Sequence, residues 1–358
     1  MPKSIVVCFD GTDSEYSTHN TNVVCLVEAI ERDADQVIFY DPGVGTYSYF
    51  GLRIANWYGR IAGLIGGYGI RRNVMEGYEF LMNTWEAGAA GEPCDRIYIF
   101  GFSRGAYTAR ALAGMIGLFG ILHPRNTNLL PYVKKMYFKK RRLPADETNL
   151  RLKKKYQAQY DLIEGFGKTF CRPCDPYFIG LWDTVGALAR RLAERFPNLK
   201  LNEKVRFGYQ ALSLDEVRAP YDAILWDKPR TSKDHTVEQV WFPGAHSEVG
   251  GGCRKDNCAL PNFSLEWMLK KAASAGLRVK PQRSPGPTAS PTDKIHQAWP
   301  WVLRALAALI GRCQGKRWHI THRREPRPDT PVHRSVDKRR KADPKYAPNL
   351  KGDYTVVD

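Results

Sequence analysis

No stretch of this chain approaches the roughly 20 consecutive apolar residues that a helix needs to cross a bilayer. The longest uninterrupted apolar run, Ala111 to Leu122, is too short and reads as a buried helix. The amino terminus passes from Met1-Pro2-Lys3-Ser4 straight into Ile5-Val6-Val7-Cys8-Phe9-Asp10, without the length or cleavage site of a secretory signal. Together these predict a protein kept in the cytoplasm of the cell that makes it, unless a dedicated machine exports it. Cysteine is sparse, eight in 358 residues, too few for a disulfide framework. Two pairs, Cys171/Cys174 and Cys253/Cys258, have metal-like spacing. Cys174 precedes one predicted strand, whereas Cys253 follows another, parallel one. Seven residues of strand hold such ends about 23 Å apart, which argues against one zinc shared by four thiolates. No metal and no cofactor is expected. Acidic residues are outnumbered too, 37 Asp and Glu against 54 Lys and Arg, giving a net charge of +17. An excess of that size points to an anionic partner: nucleic acid, an anionic membrane surface or an acidic substrate. No internal repeat and no hairpin signal is visible.

What the chain does have is a series of short apolar runs of the kind that form strands buried on both faces. They are Ser4 to Phe9, Gln36 to Tyr40, the run from Ile97 to Gly101, Pro176 to Trp182 and Glu238 to Phe242. Helical spacing covers Asn20 to Ile30, Arg71 to Glu86, the segment after Gly105, Ala187 to Phe196, Lys204 to Asp215, Ser264 to Ala275 and Trp301 to Ile310. Gly51 to Ile70 is glycine- and aromatic-rich and fits either loop or helix. Strands alternating with helices predict an α/β fold with a mostly parallel central sheet flanked by helices. The division reads as a core over 1–278 and a 279–358 segment packing on it, the latter a proline-rich connection, an apolar helix and a basic tail. Within the core, 121–168 is a basic helical insertion. Ten Lys or Arg fall between Lys134 and Lys155 against two acids, Asp146 and Glu147. A lid over the site and a solvated basic face explain it equally well.

Ligands of such sheets bind beyond the carboxyl ends of the strands. At those ends stand Asp10-Gly11-Thr12, Asp41-Pro42-Gly43, Ser103, Asp183 and His246. Gly101-Phe102-Ser103-Arg104-Gly105 matches the Gly-x-Ser-x-Gly nucleophile elbow, in which a strained strand–turn–helix presents the serine. A serine hydroxyl needs a base, and the base an orienting carboxylate. Ser103, Asp183 and His246 occur in the chain order of α/β-hydrolases. Asp215 competes as the acid, but Asp183 ends a strand expected beside that of Ser103. The oxyanion donors fall to the backbone N–H of Arg104 and one from Gly11 or Thr12. A phosphatase with an Asp-x-Asp-Gly-Thr motif is disfavoured, because Cys8 occupies the first aspartate position. Gly43-Val44-Gly45 lacks the Gly-Lys-Ser/Thr of a phosphate loop.

These residues resemble the catalytic domain of the type VI secretion phospholipase effectors. Matching pieces are Phe9-Asp10-Gly11-Thr12, Asp41 to Thr46, Gly101 to Ala106, Gly180 to Val185, Ala211 to Glu216 and Trp241 to Gly252, with His333 to Val336 and Tyr346 to Leu350 in the tail. The resemblance implies an α/β-hydrolase with Ser103, Asp183 and His246 as its triad, and phospholipase or carboxylesterase activity. Its partners would be a lipid or acyl-ester substrate, an anionic membrane surface, and an immunity or secretion protein, with export by a type VI secretion system. Nucleic acid is then not the expected partner. Glu248 stands where the family usually has an aspartate, and the chain has little room for the effectors' large membrane-association regions. A hydrolase-fold binding protein without turnover, using its basic surface for an anionic partner, is the alternative.

Overall fold

The computed structural model describes residues 2–11, 19–43, 68–89, 92–139, 148–185, 201, 204–218, 221–226, 235–253, 258–281, 289–296, 323–347 and 349–358. The readings of Thr12, Val44 to Thr46, Gly51 to Gly67, Ala187 to Phe196 and Trp301 to Ile310 lie outside these residues.

The five apolar runs become β1 (Ser4–Phe9), β2 (Gln36–Asp41), β3 (Arg96–Phe102), β6 (Phe178–Trp182) and β8 (Thr236–Phe242), and β7 (Phe207–Ser213), β9 (Pro331–His333) and β10 (Thr355–Val357) complete a sheet of eight strands among the described residues. Their order is β10-β9-β8-β7-β6-β3-β1-β2, and every pair is parallel. Residues alternate between the two faces of the sheet. Ile5, Val7, Phe9, Ile97 and Ile99 pack on one face against α2 (Tyr68–Thr84) and α3 (Arg104–Phe119). Val6, Cys8, Tyr98 and Phe100 pack on the other against α1 (Asn22–Ala29) and α7 (Pro261–Ser274). Both faces being covered, the central strands β1 and β3 are nearly continuous apolar runs rather than alternating with polar residues.

One reading needs correction. Lys204 to Asp215, expected as a helix, holds strand β7, in register between β6 and β8. Ala211, Leu212 and Leu214 are good helix formers, but tertiary pairing overrides propensity. Gln210 shows why the strand is stable in mid-sheet. Its amide accepts from Thr184 Oγ1 at 2.5 Å and donates to Gln239 Oε1 at 3.0 Å, so both ends of this buried amide are partnered. The segment beyond 279 also supplies two of the sheet's strands, β9 and β10.

After α3 the chain makes a two-stranded antiparallel clasp, β4 (Ile121–Leu122) on β5 (Cys171–Arg172), enclosing α4 (Leu130–Lys139) and α5 (Leu150–Phe170). Tyr137 of α4 donates to Ala111 O of α3 at 2.7 Å, and Phe166 of α5 meets Phe119 edge-on. The basic segment thus leans along α3.

The strand order reverses between β1, which leads outward to β2, and β3, which leads inward to β6. A crevice opens at such a reversal, beyond the carboxyl ends of the strands. Ser103 stands there because two glycines let the backbone turn. A Cβ on Gly101 would meet Gly105 O at 2.5 Å, and one on Gly105 would meet Phe9 O at 2.1 Å. Gly165, on α5, has nothing within 4 Å of the same atom. Gly105→Ala should therefore lower stability by about 3 kcal/mol through overpacking. Gly165→Ala should instead stabilise slightly, by about 0.5–1 kcal/mol of helix propensity. Chemical denaturation of the two variants checks the opposite signs.

Candidate functional site

β3 pairs with β6 so that Phe102 faces Trp182, and Ser103 N–H closes the ladder on Trp182 O at 3.0 Å. One strand further, Asp183 N–H bonds Ala211 O at 2.8 Å. Ser103 and Asp183 therefore leave neighbouring strands at the same level. Both have positive φ, 59° and 42°, a conformation that costs a non-glycine residue about 1–3 kcal/mol. It turns both side chains toward the crevice. β8 ends at Phe242, and Pro243-Gly244-Ala245 carries the chain into the short helix α6 (His246–Gly250).

The structure brings Ser103, His246 and Asp183 together. His246 Nε2 lies 2.8 Å from Ser103 Oγ, and Nδ1 lies 2.5 Å from Asp183 Oδ2. An ionised carboxylate only accepts, so Nδ1 carries the proton and Nε2 accepts from the serine hydroxyl. Phe102 and Tyr221 flank the imidazole with ring centroids 4.7 and 5.0 Å away. Phe102 is itself pinned, because a Cβ on Gly250 would fall 1.9 Å from its ring. Ser103 keeps 8% of its surface, whereas Asp183 is fully buried.

A bare buried carboxylate would protonate, since burial favours the neutral form. Arg324 prevents it. Its Nη1 donates to Asp183 Oδ1 at 2.5 Å and its Nη2 to Oδ2 at 3.1 Å, and Ser213 N–H adds a bond to Oδ1 at 3.0 Å. Burial pushes Asp183 up, but the guanidinium charge and the His246 hydrogen bond outweigh it and hold the carboxyl well below the usual range. Arg324 is 4% exposed and is in turn fixed by Ser213 O and Tyr221 O. Sequence reading missed Arg324, which lies in a basic, proline-punctuated stretch 141 residues from its partner.

The competing acid lies elsewhere. Asp215 Oδ2 accepts from Gly244 N–H and from Tyr346 OH, both at 2.7 Å, and so braces the turn before His246. Glu216 was also missed as a supporting group. It accepts the His246 N–H at 3.3 Å and pairs with Arg218, whose guanidinium lies 3.8 Å from the Tyr221 ring centroid. Arg104 is the first residue of α3, directly after the serine, where helix N–H groups point outward. The Gly11 N–H donates to Asp10 Oδ1 at 2.6 Å, while Asp10 Oδ2 is taken by Thr21 and Tyr40. The cysteine pairs lie at opposite ends of the sheet, Cys171/Cys174 before β6 and Cys253/Cys258 after β8.

Sheet, elbow and helices define an α/β-hydrolase-like protein. Residues 3–271 match the family described as T6SS, Phospholipase effector Tle1-like, catalytic domain, and the chain belongs to that family. An uncharacterized protein of Saccharomyces cerevisiae is 29% identical over 234 residues, covering 62% of this chain. The chain spans about a third of that relative's length, 32%. Among solved structures it is similar to an uncharacterized protein from Pseudomonas aeruginosa, with a TM-score of 0.41 and 18% identity over 78% of this chain and 46% of that one. It is also similar to the Tle1 effector solved bound to the VgrG spike of the Type 6 secretion system, with a TM-score of 0.41 and 13% identity over 88% of this chain and 80% of that one.

Asp183 is the group whose charge depends on its neighbours. Its folded pKa is depressed, so its contribution to stability is present above the unfolded value of about 3.9 and fades as pH falls through the folded value. Arg324→Met strands the carboxylate and should cost about 3–5 kcal/mol at neutral pH. The gap between wild type and variant should narrow as pH is lowered and the stranded group protonates. Denaturation at a series of pH values tests this.

Proposed function

We propose that the chain is a serine hydrolase that cleaves phospholipid-type acyl esters through an acyl-enzyme. The observation that carries this reading is the unbroken hydrogen-bond chain from Ser103 Oγ through His246 to Asp183, at 2.8 and 2.5 Å. Family membership supports hydrolysis of lipid esters in particular.

Ser103 Oγ attacks the ester carbonyl carbon while Nε2 of His246 takes its proton. Asp183 holds the imidazole in the required tautomer and stabilises the imidazolium that forms. The tetrahedral oxyanion accepts from the Arg104 N–H at the start of α3 and from a donor in the loop after β1, Gly11 or Thr12. For Gly11 this means exchanging its bond to Asp10 Oδ1 for one to substrate. Collapse expels the alcohol, which leaves with the proton from Nε2. Water, deprotonated by the same nitrogen, then attacks the acyl carbonyl and releases the carboxylic acid and Ser103. Arg324 keeps Asp183 ionised throughout the cycle.

The basic insertion fits docking at an anionic lipid surface and a lid role over the crevice. Arg151, Lys153, Lys154 and Lys155 of α5 alternate with exposed Leu150 and Leu152, and exposed Tyr160 and Leu162 lie further along the same helix. Apolar residues among cations suit the headgroup region. Each well-placed cation contributes about 1 kcal/mol near an anionic leaflet. The family is the support for proposing export by a type VI secretion system, with a secretion or immunity partner.

Ser103→Ala should lower kcat/KM on phospholipid and short acyl esters by at least about a thousandfold without unfolding the chain. Full activity in that variant would overturn the mechanism. Wild type inert across an ester panel would favour the alternative of a hydrolase-fold binding protein. Replacing Lys153, Lys154 and Lys155 together by Glu should release the protein from anionic vesicles in a flotation assay. Hydrolysis of a soluble short-chain ester should be unchanged.

A further inference from the structure

Two residues past His246, the buried carboxylate of Glu248 gathers side chains that the hydrolytic site does not use. Its Oε1 accepts the backbone N–H of His296 at 2.7 Å and lies 3.1 Å from His296 Nδ1. A Glu248 oxygen, the Cys253 sulfur and a His296 ring nitrogen all lie within 4.8 Å of one another. Cys258 interacts with Cys253 from outside these three, so a second thiol stands beside the group. Carboxylate, imidazole and one thiol thus converge, with a second thiol next to them.

We propose that Glu248, Cys253, Cys258 and His296 bind one structural zinc ion. The ligand chemistry selects the metal: thiolates with imidazole in a four-ligand set suit zinc, and four protein ligands leave no open position for substrate. The distances among Glu248, Cys253 and His296 fit with modest closure, and Cys258 would swing onto the ion from beside Cys253. Bonds of about 2.0–2.3 Å at tetrahedral angles put ligand atoms about 3.3–3.8 Å apart. The Cys-x4-Cys loop has the spacing of thiolate zinc pairs. Binding converts both thiols to thiolates and releases two protons to solvent.

The surrounding chain is built to hold these groups in place. Gly251 and Gly252, with φ of 83° and 77°, swing the chain from α6 toward Cys253, and a Cβ on Gly251 would meet Asn22 N at 2.5 Å. The buried Asn22 amide bonds Val249 O at 2.9 Å and Pro261 O at 3.1 Å, bracketing the cysteine loop on both sides. The segment bearing His296 is anchored independently, by Arg339 donating to Pro291 O and Asp293 O at 2.6 and 2.7 Å. The remaining Glu248 oxygen accepts the Ala245 N–H at 2.8 Å, tying the cluster to the turn before His246. The metal would staple the loop and the 289–296 segment to the helix that carries the base. Separation of the two cysteine pairs across the sheet excludes only an ion shared by four thiolates. Here one of those two pairs finds its partners in a glutamate and a histidine instead.

The test uses the reduced full-length chain, stripped of metal and titrated with cobalt(II) alone, then with zinc alone. Expected is one ion per chain, with thiolate-to-cobalt charge-transfer absorption that zinc displaces. Cys253→Ser with Cys258→Ser should abolish the absorption. His296→Ala should weaken cobalt binding by at least about 100-fold, more than loss of an outer-shell partner costs. Cys171→Ser with Cys174→Ser, and Ser103→Ala, should leave it intact. Zinc should raise the melting temperature of wild type, and not of the Cys253/Cys258 variant. If the double variant fails to fold, His296→Ala and the single Cys258→Ser, checked by circular dichroism, carry the comparison. Absence of charge-transfer absorption in the reduced wild type, or its persistence without Cys253 and Cys258, would overturn the proposal.

Discussion

A guanidinium buried against a carboxylate holds Asp183 in its charged form. Asp183 has no contact with solvent, and burial alone would drive it to the neutral acid, which could neither fix the His246 tautomer nor balance an imidazolium. Arg324 supplies the opposing charge with two hydrogen bonds. Because Arg324 also bonds Ser213 O and Tyr221 O, one residue links the end of β7, the ring beside His246 and the acid itself. Such a pair adds little net stability over a well-packed apolar pair of equal volume, yet breaking it is severe. Its value here is the protonation state it enforces.

The rest of the geometry serves to bring that acid to the serine. Parallel strands in adjacent register place Ser103 and Asp183 at one level, and two left-handed residues aim them into one crevice. Glycines at 101, 105 and 250 mark where backbone or ring approaches too closely for a Cβ. Strain at Ser103 and Asp183, tight glycine packing and a buried charge are each unfavourable alone. They persist because the two apolar layers of the sheet hold the frame.

Much of this was legible in the chain. Ser103, Asp183 and His246 each end an apolar run and adjoin small or turn-forming residues, so local pattern singles out the three side chains that the fold brings into contact. β7 was not legible, because its Ala and Leu residues favour a helix and only buried partners for Gln210 make the strand preferable. Arg324 was invisible for another reason. Nothing local separates it from the many exposed cations of the tail, and its partner is fixed only when β6 and the carboxy-terminal segment meet. The cysteine pairs show the same limit: spacing indicated metal-like geometry, but Glu248 and His296 carry no sequence mark of their association.

Covalent labelling by a fluorophosphonate probe, with the modified residue mapped by mass spectrometry, tests the central claim most directly. An activated serine predicts stoichiometric labelling of Ser103 in the wild type, and loss of labelling in a folded His246→Ala variant. Wild-type protein that stays unlabelled, or labelling of Ser103 that survives loss of His246, would contradict the account.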